Sequence, residues 1–432
     1  MARPSFLRTY REQIQFGLIL RFVRTASWPV GDQALISATN FFGVIVVTRA
    51  LSLEDLGVFS LAYAAMWAVN TIQGSLITQP FGVLAARRDV TEYRRYTSAT
   101  GLMQVALMLV IGVPVMVVGA LLPDPGAGSI LIVVGFTIIA WQSQEFLRRI
   151  LYVEGRMPEV VGIDIISYGG QFAVIVGLSV TGQLTVVSAL AAAGVTSLVS
   201  AVVGLVLVRH TLFHWPLRAA LAQNLAQGKW LLGADLGAFI CLNSYPFVLG
   251  ASHGTQAAAI YYGTQLFLNP LNVIWFASTT VVPIRLSRTR VDHGEVAARG
   301  ELRTFYRLTA PLIGAYCLFI AIFGEPIMGL VYGNKFAGYG WVIALAAAFR
   351  FFLYHGHLIS LGLRALEMAR PIFIGLAAAV PFALIIGTAL TVSIGILGAM
   401  ISMFGATAIW TAIWARAYFS SAPTPRGSLA TT

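Results

Sequence analysis

The chain has 432 residues, of which 58% are hydrophobic and 10% charged, with a formal net charge of +11. Soluble domains carry roughly 25% charged residues, so this composition excludes a water-soluble globule and puts most of the chain in lipid. The positive charge is no nucleic-acid signature, because it sits in short loops between apolar runs, where it reflects membrane orientation and contact with anionic membrane lipids.

Residues 1–27 read as a cytoplasmic basic amphipathic segment and not as a cleavable signal. Arg3, Arg8, Arg11, Arg21 and Arg24 interleave there with Phe6, Leu7, Ile14, Phe16, Leu18, Leu20 and Phe22. Apolar runs of spanning length follow at about 28–49, 57–80, 98–122, 128–149, 160–181, 184–207, 230–250, 256–284, 305–324, 339–363, 371–391 and 394–415. All but three of the 28 Lys and Arg fall in the N-terminal segment, in every second connecting loop, or in the tail. The exceptions are Arg49 at a helix end, Lys335 in an alternate loop and Arg350 in mid-helix. Lys and Arg resist translocation and mark cytoplasmic loops, so the chain crosses an even number of times with both termini cytoplasmic.

The basic loops carry Arg87, Arg88, Arg94 and Arg95, then Arg148, Arg149 and Arg156, then six arginines between 285 and 307. The opposite loops are short and built of turn residues: Asp124-Pro125-Gly126, Thr181-Gly182 and Ser252-His253-Gly254. The longest of them is a glycine-rich stretch from about Gly324 to Gly340. Residues 208–229 read as a cytoplasmic linker, and 416–432 as a disordered cytoplasmic tail. Cys241 and Cys317 both lie in apolar spans, which argues against a disulfide framework. Trp28, Trp230, Trp414, Tyr332 and Tyr339 at span ends read as interfacial anchors.

A weak internal repeat runs through these spans. Asp32 and Asn40 in the first are eight apart, as are Asp235 and Asn243 in the seventh. Asn70 to Pro80 in the second is echoed by Asn272 to Pro283 in the eighth, with one residue inserted. An offset of six helices keeps both halves in one orientation. The predicted fold is therefore an all-α polytopic membrane protein of about twelve transmembrane helices. It forms two pseudo-symmetric six-helix lobes, 28–207 and 230–415.

No catalytic motif is present. A Walker A sequence, HExxH and Cys/His zinc spacing are all missing, so neither a cofactor nor a metal is expected. His355-Gly-His357 resembles a metal pair only superficially. Ionisable residues inside spans are the default functional candidates. Arg350 is the deepest, and it reads either as a cavity cation able to grip a phosphate bidentately or as half of a structural ion pair. Asp32, Asp164 and Asp235 lie one to two turns inside cytoplasmic span ends. They read either as ion-coupling carboxylates, with Asp32 and Asp235 facing one cavity, or as hydrated interfacial acids. Asn40, Asn70, Gln73, Asn243, Gln265, Asn269 and Asn272 should point inward, either to sugar hydroxyls or to other helices. Glu145 beside Arg148 and Arg149 reads as a local salt bridge.

Three stretches carry a family resemblance: Arg49 to Ala64 (RALSLEDLGVFSLAYA), Val331 to Gly340 (VYGNKFAGYG) and Gly395 to Met400 (GILGAM). They resemble the bacterial polysaccharide flippases of the multidrug/oligosaccharidyl-lipid/polysaccharide exporter superfamily. The resemblance implies a V-shaped pair of lobes working by alternating access in the bacterial inner membrane. The cargo it implies is a polyprenyl-diphosphate-linked oligosaccharide for surface or exopolysaccharide assembly. Candidate protein partners are the polymerase and the chain-length or export machinery. It carries Arg350 across as a headgroup-phosphate residue, with Arg24 and Arg49 at the two mouths of the first span. Two other readings remain: a cation-coupled multidrug exporter of the same fold, and a membrane polysaccharide polymerase or ligase. The latter would present a large external loop with catalytic Arg or His, whereas the longest such stretch here has one Lys, one Glu and no His.

Overall fold

A computed structural model describes Trp28 and residues 31–421, and Arg24 with the rest of the N-terminal segment lies outside them. The described chain is helical almost throughout. The first half comprises α1 (Gly31–Ala50), α2 (Leu53–Gln73, joined by a π-helical turn at Gly74–Thr78 to Gln79–Leu84), α3 (Val90–Leu121), α4 (Pro125–Val153), α5 (Met157–Asp164, a π turn at Ile165–Gly169, then Gly170–Val180) and α6 (Val186–Val208). The second half comprises α7 (Ala220–Asn243), α8 (Tyr245–His253), α9 (Thr255–Leu266), α10 (Leu271–His293), α11 (Glu295–Tyr332), α12 (Gly340–Ala365), α13 (Ala369–Phe382, with a π turn at Ala383–Gly387) and α14 (Thr388–Ser420).

By length and composition, eight of the described helices can cross a membrane, or nine if α7 and α8, bent by 41°, count as one. The chain is thus a multi-pass membrane protein. Residues 53–84 fall short because they carry Glu54, Asp55, Asn70 and Gln73. Residues 255–293 fall short because the helix breaks at 267–270, around Asn269-Pro270, into a short piece and a longer one that carries Asn272, Pro283, Arg285 and Arg288. Proline has no N–H for the helix ladder and disfavours helix at the residue before it. Arg370–Ser420 scores as one apolar stretch but folds as two antiparallel pieces. Ile394 and Gly395 leave helical geometry, and Gly395 takes φ +61°. Trp414 Nε1 donates to the Ile372 carbonyl at 3.2 Å, and Ser402 Oγ to that of Gly387 at 3.1 Å. The π turns of α5 and α13 fall in helices that the six-helix repeat pairs with each other.

Several boundaries differ from the sequence reading. The expected linker narrows to 209–219, because α7 starts at Ala220. That connection is stitched to the first half: His214 N–H donates to Ser98 Oγ at 3.0 Å, and Leu217 N–H to the Arg95 carbonyl at 3.1 Å. The expected long loop at 324–340 is mostly helix, since α11 runs to Tyr332. The first residues of the expected tail are helical too, and Arg299 binds the carbonyls of Tyr418 and Ser421. Trp414 and Tyr332 are not interfacial anchors. Both are buried, and Tyr332 donates to the Gly263 carbonyl at 3.2 Å. Trp28 and Trp230 are exposed.

Apart from the bent α7–α8 pair and the broken α9–α10 pair, consecutive helices double back on one another, which gathers the arginine-rich loops at one end. Small residues allow close packing: a Cβ on Gly119 of α3 would fall 2.7 Å from the Gly128 carbonyl of α4. At the end opposite the arginine loops, a Cβ on Gly57 of α2 would fall 2.0 Å from the Thr255 carbonyl of α9. There the two halves touch backbone to backbone.

Candidate functional site

Polar residues inside the bundle form four groups. The first lies in the arginine-rich half of α1, α4 and α5. Arg148 reaches Asp32 Oδ2 through Nη2 at 2.6 Å, Asp164 Oδ2 through Nε at 2.7 Å and Glu145 Oε2 through Nη1 at 3.3 Å. Tyr152 donates to Asp32 Oδ2 at 2.6 Å, Gln144 to Asp164 Oδ1 at 2.9 Å, and Tyr168 to Glu145 Oε1 at 2.8 Å. One cation thus serves three carboxylates. Asp32 Oδ1 and Gln144 Oε1 are buried with no hydrogen-bond partner among the described residues, so the atoms left over are acceptors. Asp32 is 1% exposed and Asp164 fully buried, which corrects the hydrated-acid reading for both. The local Glu145–Arg148 pair is present, but it is one edge of a larger node.

The second group is a knot of amides. Asn70 Nδ2 donates to Gln142 Oε1 at 3.3 Å. Gln73 Nε2 donates to Gln104 Oε1 at 2.9 Å and to the Gln142 carbonyl at 2.7 Å. Gln104 Nε2 donates to that same carbonyl at 3.1 Å. Asn70 and Gln73 therefore tie α2 to α3 and α4. Asn40 stands apart, in a small cleft lined also by Tyr63, Trp141, Tyr168 and Gln171.

The third group surrounds the break between α9 and α10. Arg350, near the middle of α12, donates from Nη1 to Asn272 Oδ1 at 3.3 Å, and Asn272 Nδ2 donates to Asn269 Oδ1 at 3.4 Å. The carbonyl of Phe267, freed by the break, accepts from Tyr316 at 2.6 Å. Among the described residues no carboxylate lies within ion-pair distance of Arg350, so the structural ion pair considered above is not formed. Arg350 Nε and Gln265 Nε2 are buried without a partner among the described residues. Here the atoms left over are donors. Asn243, which the repeat singled out, is exposed at the end of α7.

Asp235 belongs to none of these. Its Oδ2 accepts from Ser75 at 2.7 Å and Gln79 at 3.0 Å, both on α2, so it links the halves instead of mirroring Asp32. Among the described residues the two matched acids share no partner. His355 and His357 do not form a metal pair either. His355 Nδ1 lies 2.7 Å from the Phe351 carbonyl, and His357 Nε2 lies 2.9 Å from Ser278 Oγ. No group of three or more His, Cys, Asp or Glu among the described residues is arranged for a metal, and both cysteines are free and buried.

The fourth group lies at the end opposite the arginine loops. Arg49 donates to the carbonyls of Leu330, at 2.7 Å, and Val331. Lys335 donates to those of Thr48, Arg49 and Leu51 at 2.9, 2.7 and 2.6 Å. Burial pushes the Lys335 ammonium below its ordinary pKa. Sequence reading missed Gln104 and the reach of Arg148. A glutamine in the third apolar span was a usable signal for the first. Nothing local announced the second.

The sequence profile of a polysaccharide biosynthesis protein family matches residues 46–339, well over half of the chain. No curated protein gives a significant match to the sequence. Among solved structures, an inward-facing multidrug resistance MATE family transporter of the MOP superfamily superposes with TM-score 0.70 at 14% identity, over 89% of this chain and 95% of that one. An outward-facing conformation of such a transporter gives 0.58 at 15% identity, over 89% and 94%. The lipid II flippase MurJ in an inward closed conformation gives 0.70 at 12% identity, over 90% and 87%. The chain has the fold of these transporters, and it belongs to the polysaccharide biosynthesis protein family.

Proposed function

We propose that the protein is a flippase. In this reading it carries a polyprenyl-diphosphate-linked oligosaccharide across the bacterial inner membrane by alternating access, for surface or exopolysaccharide assembly. It is a transporter and not an enzyme. A sugar-bearing, charged headgroup crosses hydrocarbon very slowly, so a protein cavity must replace its hydration. The observation that carries the proposal is Arg350, a mid-bundle guanidinium with no carboxylate partner among the described residues and with a buried donor unused. Such a cation is costly to keep for packing alone, and a diphosphate supplies the acceptors it lacks. The family match and the fold shared with a lipid II flippase support the same cargo class.

In this scheme the chain has twelve spans, the arginine-rich loops and both termini are cytoplasmic, and the two halves are the moving lobes. The hairpin at Ile394–Gly395, the bent α7–α8 pair and the π turns in α5 and α13 support that count and symmetry. Asn269, Asn272 and Gln265 would then line the headgroup path with Arg350. Asn40 would serve the sugar, and Arg24 and Arg49 the mouths of the first span. The deciding experiment depletes the protein and labels lipid-linked oligosaccharides with a sugar reagent that cannot cross the inner membrane. Labelled intermediate should vanish from the outer leaflet while unlabelled intermediate accumulates inside.

A cation-coupled drug exporter is the second reading. It is favoured by the MATE-type fold and by the buried Asp32 and Asp164 and half-buried Glu145 around Arg148, where two acceptors lack donors among the described residues. Asp32, Asp164 and Asp235 would be its coupling residues. Unchanged drug tolerance on deletion of the gene counts against it.

A further inference from the structure

Among the described residues, Arg49 and Lys335 are the only lysine or arginine at the end opposite the arginine loops. Each caps the other half's helix. A helix C-terminus leaves carbonyls without intrahelical partners and carries a partial negative charge. Lys335 Nζ sits on the open carbonyls at the end of α1, and the Arg49 guanidinium sits on those at the end of α11. All five hydrogen bonds join the first half of the chain to the second. Lys335 is held in place by its own turn, the 3₁₀ segment Gly333–Phe336. Phe336 is buried, with its ring 4.9 Å from that of Tyr332 and close enough to Gly263 that a Cβ there would lie 2.7 Å away.

The seam beneath is tight, with Gly57 against Thr255 and Tyr262 edge-on to Phe59 and Tyr63. At the arginine-rich end, by contrast, every cross-half hydrogen bond among the described residues involves α7, as in Asp235 to Ser75 and Gln223 to Arg88. Apart from α7, hydrogen bonds among the described residues therefore join the halves at one end only. The higher similarity to an inward-facing than to an outward-facing relative agrees with that.

We propose that Arg49 and Lys335 form a reciprocal clasp that holds this end of the protein shut and is released in every transport cycle. The chemistry suits a reversible lock. Both cations bind backbone carbonyls at helix ends, which water satisfies once the halves part, so opening strands no buried charge. The clasp rests on the alternating-access part of the proposed function and not on the identity of the cargo.

The test uses full-length protein in liposomes with spin labels at Glu54→Cys on α2 and Gln256→Cys on α9. Both positions are exposed and lie either side of the seam, and native Cys241 and Cys317 are buried. Pulsed electron resonance should find one short distance in the parent. Lys335→Met should raise the long-distance population by about tenfold, the equivalent of one charge-assisted hydrogen bond lost. Lys335→Arg should largely restore the short one. Gly57→Ala, which keeps both cations and wedges the seam, should also open it. It serves as the second variant should Lys335→Met fail to fold. Unchanged distances in Lys335→Met and Gly57→Ala, with intact melting curves, overturn the clasp. A reversible thiol cross-linker joining Glu54→Cys to Gln256→Cys, which leaves both cations in place, should stop transport until reduced, and transport through the cross-linked protein also overturns the clasp. If the distances shift as expected while no lipid-linked oligosaccharide is moved, the clasp stands and the cargo assignment fails.

Discussion

Arg148 and Asp32 meet at 2.6 Å although 116 positions separate them. The same guanidinium binds Asp164 and Glu145, so removing it takes away the one cation that two buried carboxyl groups and a half-buried one share. Arg148→Ala is expected to lower stability by about 3–5 kcal/mol. Thermal unfolding in detergent checks it. Adding Asp164→Asn should recover part of the loss, because it removes one of the stranded charges. A loss under about 1 kcal/mol would mean that water already reaches the node.

Arg350 predicts the opposite split between stability and function. It has no carboxylate partner among the described residues, so Arg350→Met should leave the melting temperature unchanged or slightly raised. Polysaccharide output should fall to the level of the gene deletion. Normal output from a well-folded Arg350→Met protein removes this residue from the mechanism.

Gln73 lies 1% exposed and donates twice within the amide knot. Gln73→Leu keeps the bulk but strands Gln104 Oε1, at a cost of about 1–3 kcal/mol. An unchanged melting curve would show that these amides are hydrated and free to meet a ligand.

Gly398 faces the Leu390 carbonyl so closely that a Cβ would fall 2.0 Å away. Even Gly398→Ala must push apart the two limbs of α14 on either side of Ile394–Gly395, with an expected loss of about 1–3 kcal/mol in the same unfolding assay. Gly233, with nothing within 4 Å of an added Cβ, is the matched control, and Gly233→Ala should be tolerated.

Asp32 and Asp235 separate the two transporter readings. If a carried ion drives drug export, Asp32→Asn with Asp235→Asn should make cells as drug-sensitive as the deletion strain. Under the flippase reading, drug tolerance stays at the parental level whatever happens to polysaccharide output.

The layout was legible in the sequence because lipid imposes it. Long apolar runs, turn residues and alternating arginines are local signals, and they gave the helices and the two ends of the bundle. The breaks were less legible: Asn269-Pro270 sits inside an apolar run that reads as continuous, and only the packing of Tyr316 onto the Phe267 carbonyl makes the interruption tolerable. Side-chain partnerships were the least legible. Asp235 has the spacing of Asp32, yet it bonds α2 across the two halves, whereas Asp32 bonds Arg148 and Tyr152 within its own half. Lys335 and Arg49 were visible as exceptions to a charge rule, but their mutual capping joins residues about 285 positions apart.

Helix α7 is part of the second half by sequence and is fastened to the first by Tyr96 with Asn224, Arg88 with Gln223, and Ser75 with Asp235. The covalent connection at 209–219 is therefore not what keeps the halves together. Two polypeptides cut within that connection and made separately in one cell should find each other and rebuild the bundle. A gene split at this point would give a working protein from two transcripts.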